Sequence, residues 1–171
     1  MAVKDYTGPV IKLKQTLVFD FKDFSSMLAR MIKDRGFSGY IENYHNEFNN
    51  PDGSKTISFG WTAAKKLEPY LRQCAEFMIK AVVHETVVEN DSSEKTMYEG
   101  NLEIDISSYM MRDVEDEWGF RNSNPTRRFL RDLYDKVLNV DKMATYEKRL
   151  KSDVEAIIND IKAYMKINRL E

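Results

Sequence analysis

Residues 70–115 constrain the fold of this chain more than any other stretch. Two long runs, 70–88 and 97–114, alternate apolar and polar residues on either side of an all-polar segment, 89–95. In the first run Leu71, Ala75, Phe77, Ile79, Ala81 and Val83 share one parity, and Arg72, Glu76, Lys80 and His84 share the other. In the second, Leu102, Ile104, Ile106 and Met110 alternate with Glu103, Asp105 and Ser107. A strand places successive side chains on opposite faces, so alternation over this length predicts a hairpin of two long strands with one dry and one wet face. The polar segment predicts the loop between them.

The same pattern, shorter, recurs upstream. Residues 10–19 read as a strand, with Ile11, Leu13, Leu17 and Phe19 against Lys12, Lys14 and Thr16. Asp20 then caps a helix carrying Phe24, Met27, Leu28, Met31 and Ile32 at helical spacing, and Gly36 ends it. Residues 40–48 and 56–63 predict a second hairpin around Asn49-Asn50-Pro51-Asp52-Gly53-Ser54, with Tyr40, Tyr44 and Phe48 on one face. Lys65-Lys66-Leu67-Glu68-Pro69 breaks the pattern before the long hairpin. Asn124-Pro125 opens a helical region over about 125–168, either one helix or two nearly collinear ones recapped at Asp141. Its apolar stripe runs through Phe129, Leu130, Leu133, Leu150, Val154, Ile157, Ile158, Ile161 and Met165 and must be covered. The expected fold is α+β in a single domain. A curved antiparallel sheet of about five strands grips a long C-terminal helix, with one shorter helix after the first strand.

Bulk properties exclude little beyond this. The chain has 171 residues, 42% of them hydrophobic, which suits one domain with a real core. A formal net charge of -2 gives no global attraction to nucleic acid, so such binding would need a local basic patch. One cysteine, Cys74, permits no internal disulfide and favours a reducing compartment. The first residues lack the apolar core of a secretory signal, and no apolar run approaches roughly 18 residues, so a cytoplasmic chain without a membrane span is expected.

The order strand, helix, antiparallel sheet and long C-terminal helix resembles the helix-grip arrangement of START-like (SRPBCC) proteins. That likeness implies a ligand cavity between sheet and helix. Four runs look like those of small archaeal proteins with no established activity: Trp61-Thr62-Ala63-Ala64-Lys65-Lys66, Gly100-Asn101-Leu102-Glu103-Ile104, Phe129-Leu130-Arg131-Asp132-Leu133-Tyr134-Asp135-Lys136 and Ile161-Lys162-Ala163-Tyr164.

Chemistry is sparse in the sequence. The seven glycines form no phosphate-binding loop, and no His/Cys spacing suits zinc, so neither a cofactor nor a metal is expected. His45 and His84 fall on different strands and on outward faces. Cys74 falls on the polar face beside Arg72 and Glu76, where a small buried hydrophobe is the better reading than a nucleophile. The acidic run Asp113, Glu115, Asp116 and Glu117 reads as a charged strand end. It could pair with the arginines Arg121, Arg127, Arg128 and Arg131. Catalytic residues are therefore not assigned.

Two functions are weighed. The first is a non-enzymatic binding protein holding an apolar or amphipathic small molecule against Phe59, Trp61, Phe77, Ile79, Ile104 and Ile106. The second is an interaction protein, either a homodimer or a component of a large assembly such as a ribonucleoprotein. There Arg127, Arg128, Lys65 and Lys66 would contact phosphate or a partner.

Overall fold

The computed structural model describes residues 3–90, 93–112, 126, 129, 130, 133 and 140–169. Its elements are β1 (Val3–Tyr6), β2 (Ile11–Phe19), α1 (Phe21–Asp34), β3 (Tyr40–Asn49), β4 (Lys55–Glu68), β5 (Leu71–Asn90), β6 (Ser93–Arg112) and α2 (Val140–Ile167). Every pairing is antiparallel, in the order β1-β6-β5-β4-β3, with β2 paired to β6 beyond β1 on the same side. The fold is α+β: an open six-stranded sheet, a short helix, and a long C-terminal helix.

The long hairpin sets the frame. Cross-strand registers place Trp61, Phe77, Ile106 and Ile11 in one row, and Phe59, Ile79, Ile104 and Leu13 in the next. These rows lie on the inner face, which both helices cover. Phe24, Leu28 and Ile32 of α1 join the core there, together with Leu150, Val154, Ile157, Ile158, Ile161 and Met165 of α2. Helix α1 starts as expected, with Asp20 Oδ1 accepting from the amides of Lys22 and Asp23 at 2.8 and 3.3 Å. Gly36 beyond its end has φ 79°, the left-handed conformation a helix stop uses. Polar contacts then seat α2. Gln73 Nε2 donates to the Tyr146 carbonyl at 2.7 Å, and Arg35 meets Asp160 at 3.1 Å.

Several expectations need correction. The sheet has a sixth strand, β1, too short at four residues to show a period. Strand pairing in the long hairpin continues to Asn90↔Ser93, so most of the expected polar loop is strand. Segment 65–69 does not break the sheet: β4 runs through it with a register shift between Lys66 and Glu68, and the chain turns at Pro69. Of the region expected to be helical before Val140, Thr126, Phe129, Leu130 and Leu133 are helical, and the three apolar side chains are exposed rather than covered. The acidic run 113–117 and all the arginines weighed with it lie outside the described residues.

Candidate functional site

Strand β3 is the least ordinary element of the sheet. It lies at the end of the strand order, and all ten of its residues are exposed. Ile41 is 70% exposed and Phe48 59%. The turn that presents it is tightly built. Asn50 Nδ2 donates to Ser54 Oγ and Thr56 Oγ1 at 2.8 and 2.9 Å, Ser54 N donates to Asp52 Oδ1 at 3.0 Å, and Gly53 takes φ 81°. This fixes the β3–β4 register from Asn49↔Lys55 back to Tyr44↔Gly60.

A bulge at Asn43 then divides the strand. Glu42 opposes Trp61 and Tyr44 opposes Gly60, leaving Asn43 unpaired in the ladder, its side-chain amide donating to Thr62 Oγ1 at 2.7 Å. The extra residue reverses parity. Tyr40, Glu42, His45 and Glu47 therefore share the inner face with Ala63, Trp61, Phe59 and Ile57. Ile41, Tyr44, Asn46 and Phe48 share the outer face with Thr62, Gly60, Ser58 and Thr56. The expectation that Tyr40, Tyr44 and Phe48 share a face fails for this reason. Tyr40 instead stacks on Trp61 with ring centroids 3.8 Å apart and planes 16° apart.

Each face of β3 has its own chemistry. On the inner side His45 lies 3.3 Å from Glu42 and 3.2 Å from Glu47, and its ring is 6.1 Å from that of Phe59. The expected outward placement holds for His84, which lies on the outer face, but not for His45, which faces inward at the sheet edge. Lys55 Nζ, 2.8 Å from Glu47, holds that carboxyl below the usual carboxylate range. On the outer side Tyr44 lies against Gly60 in a row that continues to the exposed Met78, and Phe48 and Val82 are exposed in a second row. The polar row of Asn46, Ser58 and Lys80 lies between them, and no further strand pairs with β3 among the described residues.

The opposite edge is partly closed by the chain itself. The amide of Val18 donates to the Asn168 carbonyl at 3.0 Å, and Leu17 bridges Arg169 just past α2. Along this seam lie two open clefts. One, of about 230 Å³, is lined by Thr7, Pro9, Ile11, Ser108, Lys151 and Val154 among others. The other, of about 160 Å³, is lined by Leu13, Gln15, Lys162, Met165, Lys166 and Arg169 among others.

The residues expected to line a pocket are brought together, but as adjacent core rows. Phe59, Trp61, Phe77, Ile79, Ile104 and Ile106 are all buried within one continuous core cluster, and neither cleft includes them. Lys65 and Lys66 separate onto opposite faces. Lys65 Nζ lies 3.6 Å from Asp153 of α2 and donates to the Arg35 carbonyl at 3.3 Å, so it is engaged within the fold rather than presented to phosphate. Lys66 is exposed on the outer face opposite Arg72. Arg127 and Arg128 lie outside the described residues.

Cys74 lies on the outer face but is 1% exposed, in a cluster with Tyr109, Glu76, Lys4 and Tyr6. Tyr109 Oη donates to Glu76 Oε1 at 2.9 Å, Lys4 Nζ lies 2.9 Å from the same oxygen, and the rings of Tyr6 and Tyr109 are 5.4 Å apart. Burial pushes the thiol up to about 11 and the Tyr109 phenol up as well. Both keep their protons at neutral pH, so the cluster is a lock for β1 and offers no nucleophile. Sequence reasoning missed the cluster because β1, which supplies Lys4 and Tyr6 to it, carries no readable pattern. Among the described residues no group of His, Cys, Asp and Glu is arranged to hold a metal, and no helix is long and apolar enough to cross a membrane.

No protein-family model matches the chain, and no curated protein matches it. Among solved structures it is similar to an uncharacterized protein from Rhizobium leguminosarum, with 9% identity over 91% of this chain and 99% of that one. The TM-score is 0.20, and that likeness carries no argument about fold or function.

Proposed function

We propose that this is an interaction protein that receives an extended segment along β3. The observation that carries the reading is a ten-residue strand, exposed throughout, at the end of the strand order, with no further strand paired to it among the described residues. An edge strand offers a row of main-chain amides and carbonyls, and proteins that do not use such an edge shorten it, cover it, bulge it or point charges along it. Strand β3 has a bulge at Asn43 and inward glutamates, but past the bulge it is regular from Tyr44 to Asn49, carries no lysine, and sets Tyr44 and Phe48 on its outer side. Strand addition obtains affinity from main-chain hydrogen bonds and selectivity from alternate side chains, and β3 supplies both.

A photoreactive phenylalanine analogue placed at Ile41 or Phe48 tests this in cells. Adducts at both positions that map to one contiguous segment of a single partner, with none from the same probe at Lys12 on the other edge, are expected. Labelling at Ile41 and Phe48 no stronger than at Lys12 would overturn the reading.

A second reading rests on the 230 Å³ cleft between the β1–β2 corner and α2. Ile11 and Val154 offer it an apolar wall, Thr7 and Ser108 offer hydroxyls 2.7 Å apart, and Lys151 and Glu155 line it too. An apolar or amphipathic small molecule suits that lining. Native mass spectrometry of protein purified from its own host is expected to show a bound small molecule that Val154→Trp removes. A clean apo mass would count against it.

A further inference from the structure

Resting on the β3 reading, we infer that the segment received is β3 of a second copy, paired antiparallel about a two-fold axis at Asn46, so that two six-stranded sheets continue into one. Directly opposed residues in an antiparallel pair lie on the same face. Two sheets that join with their outer faces continuous must therefore pair residues of the same side, which puts the axis through a residue and not between two. Past the bulge the strand is regular from Tyr44 to Asn49, leaving few choices.

An axis at Asn46 opposes Tyr44 to Phe48 of the second copy, both on the outer face, and does so twice. It also opposes His45 to Glu47 on the inner face, again twice, and Asn46 to itself. Each Glu47 already has Lys55 of its own chain at 2.8 Å, and the two Glu47 residues are diagonal in this register, not opposed. An axis at Glu47 would set carboxylate against carboxylate, and one at His45 would set Tyr44 against Asn46. An axis at Tyr44 would oppose Phe48 to Tyr40, which the bulge has moved to the other face. An axis at Phe48 would pair Phe48 with itself but set Tyr44 opposite residue 52, beyond the end of β3. Aromatic pairs and hydrogen-bonding pairs directly across a ladder stabilise it, and like charges oppose it, so of these registers the Asn46 one makes the most favourable pairs. It also sets the outer row of Phe48 and Val82 of each copy in line with the row of Tyr44 and Met78 of the other.

The register makes a specific prediction. Residues on the axis have their Cα atoms about 4.5–5.5 Å apart, within the range that a disulfide spans. The native Cys74 is buried and does not compete. Under mild oxidation full-length Asn46→Cys is expected to form a disulfide dimer rapidly, and Lys12→Cys, on the opposite edge, is not. Sedimentation equilibrium of the unmodified protein is expected to show a monomer–dimer equilibrium. Phe48→Lys, at an exposed position, keeps the fold but removes both aromatic pairs, raising the dimer dissociation constant roughly tenfold or more.

Dimers from Asn46→Cys forming no faster than from Lys12→Cys, or a Phe48→Lys variant that dimerises as well as the unmodified chain, would overturn the inference. A monomer at every concentration, together with β3 cross-links to a different protein in cells, would remove the homodimer and leave the edge reading standing. A monomer without such cross-links would remove both.

Discussion

Phe77→Ala is expected to cost about 3–5 kcal/mol of unfolding free energy, a large share of what holds a domain of this size together. Phe77 is fully buried, with Trp61 and Ile106 opposite it in the same row and the rows of Phe59, Ile79 and Ile104 beside it. Cutting the ring to a methyl group removes its transfer energy. It also leaves a void that both neighbouring strands, held in register on either side, cannot close. Urea unfolding followed by circular dichroism measures the loss as a lower midpoint with an unchanged slope. The variant also separates two views of these six residues. The wall of an open ligand pocket has few packing partners to lose, so truncating it would change stability little. A loss below about 1 kcal/mol would overturn the packed-row description.

Gly100→Ala is expected to cost about 1–3 kcal/mol, through crowding and not through a void. Gly100 stands mid-strand in β6, between Val83 of β5 and Leu17 of β2. A methyl group there would lie 2.1 Å from the Val82 carbonyl oxygen and 2.8 Å from Val83 Cα. Both are backbone atoms of a central strand, and they can move only if the ladder moves. Gly60 offers the contrast, since a Cβ there would lie 2.4 Å from Tyr44 Cε1, an atom of a surface ring that can swing aside. Gly60→Ala should therefore cost less stability than Gly100→Ala. It should also loosen self-association, because Tyr44 is one of the residues paired across the proposed axis. Thermal melts of the two variants side by side check the ranking, and equal or reversed losses would contradict it.

The packed rows were legible in the sequence and the exposed edge was not. Phe59, Trp61, Phe77, Ile79, Ile104 and Ile106 have the parity of a dry face, and they do lie on one face. What alternation does not contain is the fate of that face, because a wall around a ligand and a wall around packed helix side chains have the same period. The clefts lie instead along the β2–α2 seam, where Lys162 and Lys166 come from a helix about 150 residues further along the chain than β2. No local pattern marks such a meeting.

On its own the sequence determined the α+β class, the long hairpin, the inward set of each central strand, the cap of α1 and the apolar stripe of α2. Each of these follows from a period of 2 or 3.6, or from the backbone preferences of Asp and Gly, which act within a few residues. Tertiary structure alone decided which strand ends the sheet, where the bulge reverses Tyr44 and Phe48, and that β1 brings Lys4 and Tyr6 to Tyr109, the residue opposite Cys74. Those outcomes depend on which strand pairs with which and in what register, and pairing energy belongs to two distant segments at once. A strand carries its own alternation but not the identity of its neighbour, nor the lack of one.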